Sequence, residues 1–164
     1  MSRKLLAILF FLGLCVIFYI SRNRQLFLYK RPAISPTPLL RQLCTQHKLN
    51  DPFHQHVHLT IKINDRPVYI PANIGIYPER GCMTTIHTHD NSGIIHLEMP
   101  YAHALSLADF FKNWGKPFSR TRLLDKQIDS THAIVMTVNG KLNDQYEHLV
   151  LENSQFIEIR YQKI

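Results

Sequence analysis

His54-Gln55-His56-Val57-His58-Leu59-Thr60-Ile61-Lys62-Ile63 sorts its residues by parity. Val57, Leu59, Ile61 and Ile63 occupy odd positions, and His54, His56, His58, Thr60 and Lys62 occupy even ones. Successive side chains of a strand point to opposite faces, so this decamer reads as a half-buried strand with an apolar row inward. All three imidazoles then share the outward face. The same period of two continues downstream in RPVYIP (66–71), MTTIHTH (83–89), GIIHLEM (93–99), HAIVMTVNG (132–140), YEHLVLEN (146–153) and FIEIRYQ (156–162). Asn64-Asp65 and Asn139-Gly140 sit where two-residue hairpin turns belong. One helix is expected in SLADFFKNWG, with Ser106 as its cap, Asp109 three residues on as the capping partner and Gly115 at its end. Phe110, Phe111 and Trp114 would close one end of the core. These elements predict a mainly β domain, an antiparallel β-sandwich or barrel with one short helix.

Upstream of the domain the chain changes character. Leu5 to Ile20 is an unbroken apolar run, flanked by Arg3 and Lys4 before it and by Arg22 and Arg24 after it. It reads as an uncleaved transmembrane helix, because no small-x-small cleavage site follows it and flanking Arg side chains can snorkel. The expected organisation is a membrane anchor at 1–22, a Pro-containing tether at 23–50 (with RPAISPTP at 31–38) and a β-rich histidine-containing domain at 51–164. A single-pass protein with its C-terminal domain on the periplasmic or other extracytoplasmic side is the expected topology, although basic residues on both flanks leave the positive-inside rule indecisive.

The formal net charge of +7 does not make this a nucleic-acid binder. Residues 1–31 hold six basic groups and no acid, whereas the other 133 residues hold 13 basic against 12 acidic groups and so lack a basic stripe. What the composition does offer is ten histidines, all after position 46.

Their spacing points to a metal. In TTIHTHDNSGIIHLEMP (84–100), Asp90-Asn91-Ser92-Gly93 reads as a four-residue hairpin loop, which sets His87 opposite His96 and leaves His89 on the same face. Three imidazoles converging on one point suit a borderline transition metal, so His87, His89 and His96 are the expected ligands. Glu98 shares their face as an outer acceptor or fourth ligand, and Asp90 is placed to fix an imidazole tautomer. His56, His58 and Cys82 are candidate further ligands. With Cys15 in the apolar run, Cys44 and Cys82 form an even pair, open to a disulfide or, for Cys82, to a thiolate beside the histidines. Sulfur from Cys82, Met83 or Met99 near imidazole favours copper, with zinc second. His47, His103, His132 and His148 carry no supporting pattern.

The order of motifs, an HxHLxIxIN strand, IPANIGI, a Cys, HTHD, SGIIHLE and an FFxxWG helix, resembles a poorly characterised family of bacterial and archaeal proteins, often membrane-anchored. The resemblance spans about His56 to Gly115. It implies that His56, His58, Cys82, His87, His89 and His96 belong to a shared site, with His54 outside the pattern, and it names no chemistry.

Three functions fit this reading. The first is a membrane-anchored extracytoplasmic protein that binds copper or zinc for storage, delivery or detoxification, with a protein metal donor or acceptor as partner. The second is a metal-dependent hydrolase or oxidoreductase with an open coordination position on three His. The third is a structural or proton-sensing interaction module without metal. No nucleophile elbow, phosphate loop, HExxH or Ser-His-Asp signature is present, and His96-Leu97-Glu98 lacks the PCxxC that a deaminase needs.

Overall fold

A computed structural model describes Cys44 and residues 52–164. The apolar run, the rest of the tether and His47 lie outside the described residues. Among those described, no helix is long and apolar enough to cross a membrane.

The domain contains β1 (Phe53–Ile63), β2 (Arg66–Pro67), β3 (Ile76–Tyr77), β4 (Cys82–Met83), β5 (Ile86–His87), β6 (Ile94–Met99), helix α1 (Leu107–Trp114), β7 (Phe118–Ser119), β8 (Arg122–Leu123), β9 (Lys126–Gln127), β10 (His132–Val138), β11 (Lys141–Leu142) and β12 (Phe156–Lys163). Seven strands form the principal sheet in the order β11-β10-β12-β1-β6-β5, with β2 appended to β1, and two small sheets, β3-β4 and β7-β8-β9, accompany it.

The architecture is mainly β with one helix, as expected, but the principal sheet is open and mixed rather than a closed antiparallel barrel. Its first and last long strands, β1 and β12, run parallel, with His58 opposite Phe156 and Ile63 opposite Tyr161. Parallel neighbours cannot be joined by a tight turn, and here the whole intervening domain serves as the crossover. β1 is long enough to be shared: β6 pairs antiparallel with residues 53–58 along one edge, and β12 takes residues 58–63 along the other.

Parity decides the core. Val57, Leu59 and Ile61 of β1, Ile95, Leu97 and Met99 of β6, Ile134 and Met136 of β10, and Ile157, Ile159 and Tyr161 of β12 are buried in one cluster. Phe110 and Phe111 of α1 join it fully buried, and Trp114 packs against it. The helix begins and ends where the sequence predicts. The Asp109 carboxylate accepts hydrogen bonds from the Ser106 backbone N–H (2.7 Å) and hydroxyl (2.9 Å), and Gly115, at φ 70°, donates its N–H to the Lys112 carbonyl. Both expected hairpin turns are present as two-residue loops between paired strands, with positive φ at Asn64 and Asp65 and at Asn139 and Gly140.

The opposite face of the sheet is polar and divided along β1. Toward β12 it carries ion pairs, Lys62 with Glu158 at 2.5 Å and Arg160 with Asp65. Toward β6 it carries the histidines.

Beyond β5 the segment 71–76 runs alongside 84–88. Thr84 and Thr88 donate their backbone N–H groups to Gly75 and Ile74, and Asn73 donates to Thr88. The Thr88 hydroxyl donates to the Pro71 carbonyl at 3.0 Å and accepts the Ile74 N–H at 3.1 Å. Asn113 of α1 reaches the same strand, donating to the Ile86 carbonyl at 2.6 Å. Cys44 is disulfide-bonded to Cys82, with Cα atoms 5.2 Å apart, which ties the chain before the domain to β4.

Gly93 closes the hairpin ahead of β6. Its φ is +83°, and a Cβ there would fall on the Leu59 carbonyl oxygen of β1. A side chain at 93 would have to part the two strands that carry the histidines. Gly93→Ala is expected to destabilise the chain by about 2–4 kcal/mol through strain and overpacking. Gly140→Ala, where φ is +76° with open space around it, should cost only about 1 kcal/mol. Urea denaturation of the two variants measures the difference.

Candidate metal centre

Three strands present the cluster, and each is placed by the packing on its other face. Ile86 of β5 pairs with Leu97 of β6 on the core side, so His87 pairs with His96 on the polar side, which is the register expected from the sequence. On the other edge of β6, Val57 pairs with Ile95, His56 with His96, and His54 with Glu98. His56, His96 and His87 therefore form one rung across three strands, with His54 and Glu98 on the next. Side chains on adjacent strands of one face stand roughly 4.5–5.5 Å apart at Cβ, close enough for imidazoles to meet.

β5 ends at His87 and β6 starts at Ile94, so the connection is six residues long, not four. His89 leaves the ladder but still turns toward the site. Its ring centroid lies 4.5 Å from that of His96 and 4.7 Å from that of His87.

His87 is fully buried, and its Nδ1 lies 2.9 Å from the Thr84 carbonyl oxygen. A carbonyl can only accept, so Nδ1 carries the proton and Nε2 keeps the lone pair with which the ring could ligate an ion. That Nε2 lies 3.1 Å from His89 Nε2 and 3.9 Å from Glu98 Oε1, and His96 Nδ1 lies 3.6 Å from the same carboxylate oxygen. Metal–nitrogen bonds of roughly 2.0–2.1 Å in a tetrahedral site place the donors about 3.3 Å apart, so these separations straddle what one ion needs. Among the described residues, two groups could hold a metal ion: His87, His89, His96 and Glu98, and His54, His56 and His96.

Several expected roles change. Cys82 is bonded to Cys44 and has no thiolate to offer. Met99 faces the core, one residue out of phase with Glu98. Both candidate groups are made of nitrogen and oxygen donors, and the Cys82 thiolate and Met99 thioether that favoured copper are withdrawn from them. His58 shares the polar face but stands one rung too far along β1, opposite Ile94. Its Nε2 meets the Ser92 carbonyl at 3.1 Å and its ring packs on Phe156. Asp90 shapes the loop instead of holding an imidazole, accepting the Ser92 N–H at 2.8 Å, and hydrogen bonding from Ser92, foremost from its hydroxyl and then from its backbone, lowers the Asp90 pKa. The tautomer-fixing role falls to the Thr84 backbone, which no side-chain pattern could announce.

One residue gains. His54 reaches Glu98 Oε1 at 2.9 Å and His96 Nδ1 at 3.5 Å, and its place in the HxHxH alternation was the available signal. Glu98, expected as an outer acceptor or a fourth ligand, falls within the candidate ligand group. The remaining described histidines stay apart: His103 lies against Tyr101, His132 stacks on Tyr161, and His148 is exposed beside Glu147. A comparison with known protein families, curated proteins and solved structures finds no match to this chain.

The cluster favours the neutral form of two of its imidazoles, His96 and His56. Burial, foremost, pushes the His96 pKa down to about 4, followed by the imidazoles of His89 and His56; Glu98 acts in the opposite direction and His54 adds to the lowering. Burial and His54 likewise lower the pKa of His56. A neutral imidazole is the form that ligates. In the unfolded chain His96 titrates near 6.5. Between that value and about 4 the unfolded state binds more protons than the folded one, so this group's effect makes stability fall as pH drops through the interval. Above 6.5 it contributes no pH dependence. Denaturation midpoints of the metal-free chain between pH 7.5 and pH 4 should show this loss, and His96→Gln should flatten the curve.

Proposed function

We propose that this chain is a membrane-anchored, extracytoplasmic protein that binds a borderline transition metal, zinc or copper(II), in exchangeable form for storage or delivery. One observation carries the reading. A fully buried imidazole, its proton held on Nδ1 by a backbone carbonyl, directs Nε2 toward a second imidazole and a carboxylate that a third imidazole also faces. Burying a polar ring in this way is costly unless it is satisfied, and an orienting acceptor behind a ligating nitrogen is the arrangement metal-bound histidines use.

The donor set of three nitrogens and one oxygen suits zinc and copper(II), and excludes a hard all-oxygen site for calcium or magnesium. The graded exposure of the ligands, His87 at 0%, Glu98 at 12% and His96 at 18% of side-chain area with His89 exposed, supports exchange. A closed structural site would cover all its ligands. The Leu5–Ile20 run supports the anchor, and the Cys44–Cys82 disulfide supports an oxidising compartment outside the cytosol.

Plasma mass spectrometry of the full chain, purified in detergent with a histidine-free tag and dialysed against a chelator, tests the reading. The wild-type chain should retain near-stoichiometric zinc or copper. His87→Ala with His89→Ala should lose it, with affinity reduced by about 100-fold or more. His58→Ala should retain it, as should the wild-type chain after reduction, since neither His58 nor the cysteines belong to the donor set. Equal metal in the wild-type and doubly substituted chains would refute the site. Reduction should instead lower stability by about 2–4 kcal/mol.

A further inference from the structure

The described side chains hold a second group of imidazoles that the metal reading above leaves unused. His54 and His56 stand on β1, on the exposed side of His96, and with it form a trio whose ligand atoms lie close enough for one ion. The rings of His56 and His96 meet edge-on with centroids 4.6 Å apart, and those of His54 and His56 are also 4.6 Å apart. His96 is the hub: His87, His89, His54 and His56 all surround its ring. Glu98 is the second link, because the carboxylate oxygen that lies 3.9 Å from His87 Nε2 lies only 2.9 Å from His54 Nε2. Exposure rises outward along this line, from 0% for the side chain of His87 through 18% for His96 to 48% for His54.

Resting on the metal-binding reading, we propose that His54, His56 and His96 form an outer metal position, alternative to the inner one, through which the ion enters and leaves. The two positions share His96, so an ion can move between them by exchanging His54 and His56 for His87 and His89 while it keeps His96. Each new nitrogen-to-metal bond replaces an old one, the oxidation state is unchanged, and no proton needs an acceptor beyond solvent. Two divalent ions at once would face strong mutual repulsion, since Glu98 is the sole carboxylate in the two groups. Occupancy is therefore one ion or the other. The outer trio is also where a donor or acceptor could reach the ion with its own ligands, because His54 and His56 are exposed.

Calorimetric titration of the metal-depleted full chain in detergent with zinc(II) decides the matter. The wild-type chain should saturate at one zinc. The His87→Ala, His89→Ala chain should still take one zinc, about 100-fold more weakly or worse, and adding His54→Ala and His56→Ala should abolish that binding. His58→Ala in the same doubly substituted background controls for loss of any exposed imidazole and should leave the weak binding intact. A flat titration of the His87→Ala, His89→Ala chain beside a binding wild type would overturn the outer position and leave the inner site standing. Two zinc ions per wild-type chain would overturn alternative occupancy. A wild-type chain that binds no zinc or copper(II) would remove both readings.

Discussion

The pairing of β1 with β6, in the register that lays Val57 beside Ile95 and His56 beside His96, is the constraint on which the rest of the domain depends. A slip of one residue in either strand would bring histidines into the core and carry Val57 or Ile95 out to the polar face. The apolar cost of that exchange is spread over a long row, Val57, Leu59 and Ile61 on one strand and Ile95, Leu97 and Met99 on the other. The imidazole cluster on one face is thus held in place by hydrophobic packing on the other. The histidines need contribute nothing to folding in order to be accurately positioned.

The site combines a rigid floor with an open rim. Segment 71–76, Thr84, Thr88 and Asn113 clamp β5 from beyond the sheet edge, so His87 sits in a framework of backbone and side-chain hydrogen bonds. Gly75, at φ +74°, lies in the same framework, where a Cβ would fall on the Thr84 hydroxyl and Asn113 amide. His89, in the loop, and His54 and His56, near the start of β1, face water. For the proposed ion, preorganisation at the floor would favour affinity, and exposed imidazoles at the rim would favour exchange.

Much of this was readable from particular residues. Alternation in 54–63 and 93–99 identified the two strands and their faces, and Ser106, Asp109 and Gly115 bounded the helix. Asp90-Asn91-Ser92-Gly93 was recognisable as turn-forming, and the hairpin around it gave the His87–His96 pair because both strands are local. The loop came out longer than expected because turn residues mark where a chain reverses, not where its ladder ends. Neither the parallel β1–β12 pairing nor the meeting of β1 with β6 could be read. They join residues about a hundred and about forty positions apart, and period-two patterns carry no information on which strand is the neighbour.

Cys82 shows the same limit in chemical form. Its closeness to the histidines in sequence suggested a thiolate ligand and thereby copper, but its partner in space is Cys44. His54 shows the reverse, a residue outside the motif pattern whose ring comes within reach of Glu98. Residue type and parity, both local properties, settled from the sequence alone that this is a β domain with imidazoles gathered on the face away from its core. Which imidazoles stand close enough to share an ion, which nitrogen faces inward and which sulfur is withdrawn were decided by tertiary structure, because such a group depends on distances among several strands and on a backbone carbonyl that no side chain encodes.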